Sequence, residues 1–336
     1  MANNITLFKK YVPLLDEVYK QAALSSVLDS DTSLAQAGAN ANEIIIPKIS
    51  MDGLGDYTRN SGYTQGDVTL TNETVKFNYD RGRKFSVDWA DNEETAGLAF
   101  GKLASEFIRT KVAPEGDAFT FAKLCGVDGI SIATAATYAD GNTVLSALVT
   151  AQNKMDEDEV PYENRILFIT PTLFNMIQAV DSYKSKEVMA SFSQVVKVPQ
   201  SRFYTAVDLK DGKTENELEG GYVKSVGTYK TTEDTTVTSG KTYYEKSGTT
   251  YVVKTPTTTN PKTEGLYEAI TAPGKDINFL IVHKPAVMKY NKHIVPRVFS
   301  PEVNQSGDDW LFTYRKYGLV DAYENKVAGI YLSHKA

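Results

Sequence analysis

The sequence predicts an α+β protein in which an extended β-hairpin and a long helix precede an α/β domain. Three observations carry this. Residues 43–88 hold two β-forming runs on either side of a glycine-rich tip. Apolar residues keep helical spacing from about 92 to 125. Beyond residue 140, helical periodicity alternates with short, wholly apolar runs, as in strands buried between helices.

Taken in order, residues 1–12 read as a loose arm. A helix is expected from Pro13 to about Leu28, with the proline in its first turn, where a missing N–H costs little. Leu15, Val18, Tyr19, Ala22 and Val27 form its apolar stripe, and the small polar residues 30–42 read as non-helical. Ile44–Ile49 reads as one strand, and Val68, Leu70, Thr74, Val75, Phe77 and Tyr79 lie in the returning one. Gly53, Gly55, Asn60, Gly62 and Gly66 mark the tip between them, across which no long alternating apolar face is expected. A long hairpin without a core of its own is not stable alone, so it must lie on something else, and a neighbouring subunit is the natural candidate.

The long helix is expected to be capped by Asp91 or Asn92, with Glu93 and Glu94 in the first turn where the helix dipole favours acids. Ala96, Phe100, Leu103, Phe107, Ala118 and Phe121 keep its spacing, and Pro114 should kink it. Over 92–125 it would span on the order of 50 Å, a spine rather than a packed bundle member. Next come a helix over Asn142–Met155, a buried strand RILFIT (165–170), and a helix with Thr170 as N-cap and Pro171 at its first position. VVKVPQSRFYTA leads into a further strand.

Residues 222–271 differ in composition, rich in Thr, Tyr, Gly and Lys and almost without Leu, Ile or Phe. KTYYEKSGTTYVVK reads as a hairpin turning at Ser247–Gly248, so the stretch is expected to be a small inserted β-module rather than a loop. Tyr243, Tyr244 and Tyr251 are candidates for stacking on sugars, or for packing the module's own small core. INFLIVH (277–283) is a strand, Pro285 marks a helix start in KPAVMKYNK, and the tail reads as strands.

The totals narrow the function. A formal net charge of -6 opposes wholesale binding to a polyanion. The single Cys125 allows neither a disulfide nor a cysteine-based metal site within the chain. The N-terminus lacks the apolar core of a signal peptide, and no run approaches the roughly 20 apolar residues of a membrane span, so manufacture in the cytoplasm and no membrane partner are expected. The 20 Tyr and 14 Phe suit surfaces that pass between wet and dry states.

No catalytic, cofactor-binding or metal constellation emerges. Gly212–Thr214 and Gly240–Thr242 are GKT triplets, but Val207 and Thr235 stand where a phosphate loop needs glycine. His283, His293 and His334 have no ligand partner at short spacing. The acidic run Asp156–Glu159 reads as a solvated helix end. One charged stretch stands out: in RGRKFSVDWADNEET, the bases Arg81, Arg83 and Lys84 precede the acids Asp88, Asp91, Glu93 and Glu94. It is either a site for nucleic acid or phosphate, or half of a charged contact with another copy of the chain.

The order of loose arm, coreless hairpin, long helix, α/β domain and returning strands resembles the major capsid proteins of tailed phages, with the Hong Kong 97-type fold. Locally, RGRKFSVDWADNEE, EFIRTKVAPEGDAFTFAKL, VPQSRFYTAVDL and KDINFLIVHKPAVMKYNKHIVPRVFSP resemble capsid proteins of phages of Gram-positive bacteria. The resemblance implies an N-terminal arm (1–42), an extended loop (43–88) and a peripheral domain with the spine helix (89–139 and 284–336). It implies an axial domain over 140–283 that contains the 222–271 insertion.

It further implies a non-enzymatic protein that self-assembles, as hexamers and pentamers, into an icosahedral shell around double-stranded DNA. Its place would be the virion, assembled in the host cytoplasm, with a portal protein as partner. A separate scaffolding protein is expected, because the extended loop begins too early for a built-in scaffolding segment. Lys48, Lys76 and Lys84, with Asn291, Asn304 and Asn325, match no crosslinking motif of that family. Arg81, Arg83, Lys84, Asp88, Glu93 and Glu94 become candidates for contact between subunits. The rival readings are an encapsulin-like compartment enclosing a cargo protein, and a surface adhesin or glycan-binding protein acting through residues 222–271.

Overall fold

The computed structural model describes residues 23–30, 36–37, 43–60, 62–94, 102–180, 183–238, 241–248, 250–305 and 307–335. The arm over 1–12, most of the helix expected from Pro13, and Ala96 and Phe100 lie outside these. The described residues fall into two compact units, one within 28–105 and 288–321, the other within 17–27, 106–287 and 322–336. Strands and helices are numbered along the chain.

The first unit holds two three-stranded sheets. In one, β1 (Gln36–Ala37) and β3 (Val68–Lys76) flank β2 (Glu43–Met51). The β2–β3 ladder is antiparallel from Glu43↔Lys76 to Met51↔Val68. Ile44 and Val75, directly opposed at its base, are buried, while Ile49, Met51, Val68 and Leu70 near the tip are not. In the other sheet, β16 (Asp309–Ala322) lies between β15 (Val287–Phe299) and β4 (Tyr79–Asp88). Pro285 does not open a helix: Lys284–Ala286 makes a single 3-10 turn and the chain runs on as β15. Val287, Met288 and Tyr290 are buried there, and burial of these β-formers outweighs the local helix signal.

Helix α1 covers Trp89–Glu94. It starts earlier than expected, because the Asp88 carboxylate accepts the Ala90 N–H at 2.9 Å, so Asp88 rather than Asp91 or Asn92 is the cap.

The second unit is built on a five-stranded sheet in the order β5-β17-β14-β6-β7. These strands are Ser131–Ile132, Ile330–His334, Ile277–His283, Arg165–Ile169 and Gln194–Lys197. Every residue of β6 and β14 is buried, which explains their unbroken apolar runs. Leu167, Ile169, Phe279 and Ile281 pack with α4 (Gly141–Glu157), α5 (Pro171–Ala179) and α6 (Tyr183–Ala190) through Leu148, Met155, Ile177 and Val188.

Phe168, of opposite parity in β6, meets Phe121 edge-on with ring centroids 5.1 Å apart, and Phe121 meets Phe203 at 5.0 Å. Phe121 belongs to α3 (Ala113–Cys125), so that helix packs on the residues of the opposite sheet face. Strand β17 pairs with β14 and β5, so the tail joins this sheet.

The long helix is described from Leu103. Helix α2 (Leu103–Phe107) runs into a π-helical turn, Ile108–Val112, and then α3, with Pro114 in the first turn of α3. Proline offers no N–H and its ring crowds the carbonyl four residues back, and the wider π turn accommodates both. Nine of the thirteen residues of α3 are buried, so this part is a packed core helix and not an exposed spine.

Asp117 of α3 has no exposed surface. Its Oδ2 accepts from Arg202 Nη1 at 2.9 Å and from the Leu24 N–H at 3.0 Å, and its Oδ1 accepts from the Ser25 N–H and Oγ at 2.9 and 2.7 Å.

The Thr/Tyr-rich stretch folds as a four-stranded sheet in the order β10-β13-β11-β12. These strands are Thr228–Thr231, Tyr267–Thr271, Tyr243–Ser247 and Thr250–Val253. Ser247 pairs with Thr250, so the hairpin turns one residue later than expected, with Gly248 at φ +62° in the turn. Two closely apposed segments connect the module to the rest of the unit. The Gly274 N–H donates to the Ser225 carbonyl at 2.8 Å, and the Ser225 N–H to the Ala206 carbonyl at 3.1 Å. Gly227 sits at φ +74°, and a Cβ on Gly274 would lie 2.3 Å from the Ala206 oxygen, so both glycines are required by geometry.

Candidate assembly surface

The charged stretch read from the sequence lies mostly on β4, and the pleat divides it. Successive side chains of a strand point to opposite faces. Arg81 and Arg83 share a face with Tyr79, Phe85 and Val87, opposite Lys316 and Tyr314 of β16. Both arginines are half-buried and have interactions within the chain. Lys84 is on the other face, opposite Thr313, and is exposed. Asp80 on that face takes a two-pronged ion pair from Arg315, at 2.9 Å to Nε and 2.7 Å to Nη2, which holds its carboxyl below the usual range.

Asp88 faces Asp309 and caps α1. Asp91, Glu93 and Glu94 belong to α1. The structure therefore does not gather the bases into one patch, and residues adjacent in the sequence serve different faces.

A different surface emerges on the β2–β3 hairpin. Ile49 opposes Leu70 and Met51 opposes Val68, so all four side chains lie on one face. Their exposures are 55, 68, 66 and 68%. Leu54, Tyr57 and Tyr63 extend this apolar character over the tip, with the two tyrosine rings 5.0 Å apart. The Asp52 carboxylate accepts the Asp67 N–H at 2.9 Å, and Thr58 and Gly62 bond reciprocally, so the tip has defined local structure. The sequence carried a signal for this patch, in Ile45, Pro47, Ile49 and Met51 at a period of two, mirrored by Val68 and Leu70.

The other candidates resolve locally. Among the described residues, no group of three or more His, Cys, Asp or Glu side chains is placed to hold a metal ion. In the acidic run, Asp156 pairs with Arg165 at 2.7 Å and Asp158 with Lys154 at 2.5 Å. His283 ends β14, where burial, with Arg165 and Lys326 nearby, pushes its pKa down. Desolvation pushes the Cys125 thiol up, away from thiolate chemistry. Among the described residues, no helix is long and apolar enough to cross a membrane.

Of the module tyrosines, Tyr243 is buried, and its hydroxyl donates to Asp234 at 2.7 Å and accepts from the Thr238 N–H at 3.1 Å. Tyr244 and Tyr251 are half-buried on the opposite face of the sheet.

No family model and no curated protein sequence matches the chain. Solved structures do. The mature capsid asymmetric unit of bacteriophage PhiM1 aligns with a TM-score of 0.60 at 10% identity, over 98% of this chain and 92% of that one. The capsid of Myoviridae phage XM1 aligns with a TM-score of 0.54 at 9% identity, over 97% of both chains. The chain has the fold of phage capsid proteins. The capsid of Staphylococcus phage Andhra shares this capsid fold at a TM-score of 0.53 and 13% identity, over 98% of this chain and 88% of that one. At such identities the fold is retained while individual side chains are not, so the capsid fold assigns no role to any one residue.

Proposed function

We propose that this chain is a major capsid protein, whose copies assemble as hexamers and pentamers into an icosahedral shell that encloses double-stranded DNA. The observation that carries the reading is the apolar hairpin tip, on a chain whose likeness to capsid proteins extends over nearly its whole length. Ile49, Met51, Val68 and Leu70 present a continuous apolar face that the described residues leave in water. A second copy supplies the surface to cover it. On this reading residues 43–88 are the extended loop, 89–139 and 284–336 the peripheral domain, and 140–283 the axial domain. The function is mechanical, and many weak repeated contacts suit it, because misplaced subunits can leave and rejoin.

Burying one such side chain contributes about 1.5–3 kcal/mol per copy. Leu70→Asp removes that term and adds the desolvation of a carboxylate. Electron microscopy of the purified chain, expressed with and without its neighbouring genes, is the test. Closed icosahedral shells or rings of five or six are expected from the parent chain, and folded, unassembled protein from Leu70→Asp. A parent chain that stays monomeric under both conditions refutes the assignment, and normal shells from Leu70→Asp remove the hairpin from it.

A further inference from the structure

The module carries a second surface, on which the shell reading makes no demand. Tyr244 opposes Tyr267 directly, Tyr251 opposes Lys246, and Tyr229 opposes Ala269, so four tyrosines from four strands share one face of the sheet. Tyr229 and Tyr251 stack at 4.1 Å, Tyr229 meets Tyr244 at 4.9 Å, and Tyr251 meets Tyr267 at 5.1 Å. All four are half-buried.

The module's loops attach on the other face. There Tyr243 is buried and bonded to Asp234 and Thr238, the Lys262 N–H reaches the Asp234 carbonyl, and the Thr232 N–H reaches the Leu266 carbonyl. Tyr243, Thr232, Pro261 and Leu266 are the buried residues on that side. The tyrosine face is thus not the side on which the loops build a core.

Two further properties point to a ligand. The Tyr243 hydroxyl has two partners, whereas the hydroxyls of Tyr229, Tyr244, Tyr251 and Tyr267 have none among the described residues. Charge is also segregated. Lys230, Lys254, Glu245 and Glu268 project from the far face, and Lys241 and Asp234 gather there through ion pairs, while Lys246 is the one ionic side chain among the paired strand residues of the tyrosine face. A surface of aromatic rings, unbonded phenol hydroxyls and little charge matches a ligand with apolar C–H faces, many hydroxyls and no net charge. It does not match nucleic acid, which needs a basic track.

We propose that the Tyr229–Tyr244–Tyr251–Tyr267 face binds a neutral polysaccharide. Rings at the edge of the cluster take a sugar face, and the phenol hydroxyls exchange hydrogen bonds with sugar hydroxyls. Any shell carrying many such modules would bind by avidity even where each site is weak.

The test is affinity electrophoresis of the full chain through gels containing dextran, mannan or galactan. At least one of these neutral polymers should retard the parent chain. Tyr251→Ala, which removes a stacked ring, should weaken retention more than tenfold. Tyr244→Phe and Tyr267→Phe keep the rings and remove only hydroxyls, so the module stays folded, and each should weaken it by roughly three- to tenfold. Glu245→Gln on the far face should change nothing.

Absence of retardation by all three polymers overturns the proposal, as does retention unchanged in both Phe variants. A concentration-dependent self-association of the parent chain that the Phe variants abolish would assign the face to a second copy and overturn it equally.

Discussion

Asp117→Ala probes a fully buried carboxylate of the second unit that accepts four hydrogen bonds. The carboxylate has no exposed surface, and the Arg202 side chain opposite it is only 3% exposed. Asp117 receives four hydrogen bonds, three of them from Leu24 and Ser25, so it ties the N-terminal segment to α3 and to the turn at Arg202. Truncation removes the acceptor of these four hydrogen bonds and a carboxylate paired with a buried guanidinium. Breaking a buried pair in this way costs about 3–5 kcal/mol. Against a typical total of about 5–15 kcal/mol, that is a large share of a domain's stability.

Hydrogen exchange at the Leu24 and Ser25 amides reads the effect locally, which suits a chain of two units better than a single unfolding midpoint. A loss of about 3 kcal/mol corresponds to roughly a hundredfold faster exchange there, with smaller acceleration along α3. Asp117→Leu with Arg202→Met should recover part of the loss, because it removes both charges of the pair and leaves the hydrogen bonds to Leu24 and Ser25 lost. Exchange altered less than tenfold in Asp117→Ala would refute the view that this carboxylate holds the segment.

Other predictions concern packing, pH and assembly. A Cβ on Gly141 would lie 2.2 Å from the Met176 carbonyl oxygen, so Gly141→Ala should destabilise the second unit by about 1–3 kcal/mol, read as a lower thermal midpoint. Glu264 is held at a pKa of about 2 by hydrogen bonds from Thr258 and Thr257, against an ordinary value of 4.5. A depressed carboxyl contributes its stabilisation fully above pH 4.5 and loses it as pH falls through about 2, so the Thr257 and Thr258 amides should lose protection across that window, and Glu264→Gln should flatten the response. Arg83→Glu should impair shell formation while the chain stays folded by circular dichroism. Normal shells from that variant would remove Arg83 from the contact between subunits.

The parts of the fold that were legible in the sequence are those where one physical signal dominates. β6 and β14 read as buried strands because both their faces are covered, leaving no polar position to blur the run. The helix expected over Asn142–Met155 appears as Gly141–Glu157, with Asp140 accepting the Thr143 N–H as its cap. Where two local signals compete, the reading failed. Pro285 announces a helix start, but the following Val287, Met288 and Tyr290 are drawn into a sheet by burial.

The charged stretch is divided for a geometric reason. Three bases within four positions look like one cluster in a line of text, and the alternation of a strand sends Lys84 to the face opposite Arg81 and Arg83. The apolar pairs at the hairpin tip became visible only through register, since Ile49 and Leu70 are 21 positions apart and meet only across the ladder. The same holds for the tyrosine face, which draws on four strands between Tyr229 and Tyr267.

The double-stranded neck at Ser225 and Gly274 makes residues 227–273 an exchangeable cassette. The chain leaves the body and re-enters it about one strand spacing away, ~4.8 Å, so any domain whose own ends are neighbours fits the same doorway. Lengthening or replacing what lies between adds little closure entropy, since that term grows only with the logarithm of loop length. The body beneath does not register the exchange, because the strands on either side, Tyr222–Lys224 and Ile277–His283, are anchored by their own partners in two different sheets. Selection on the module's surface can therefore proceed separately from selection on the packing of the body, and a grafted epitope or enzyme of matching ends would inherit that freedom.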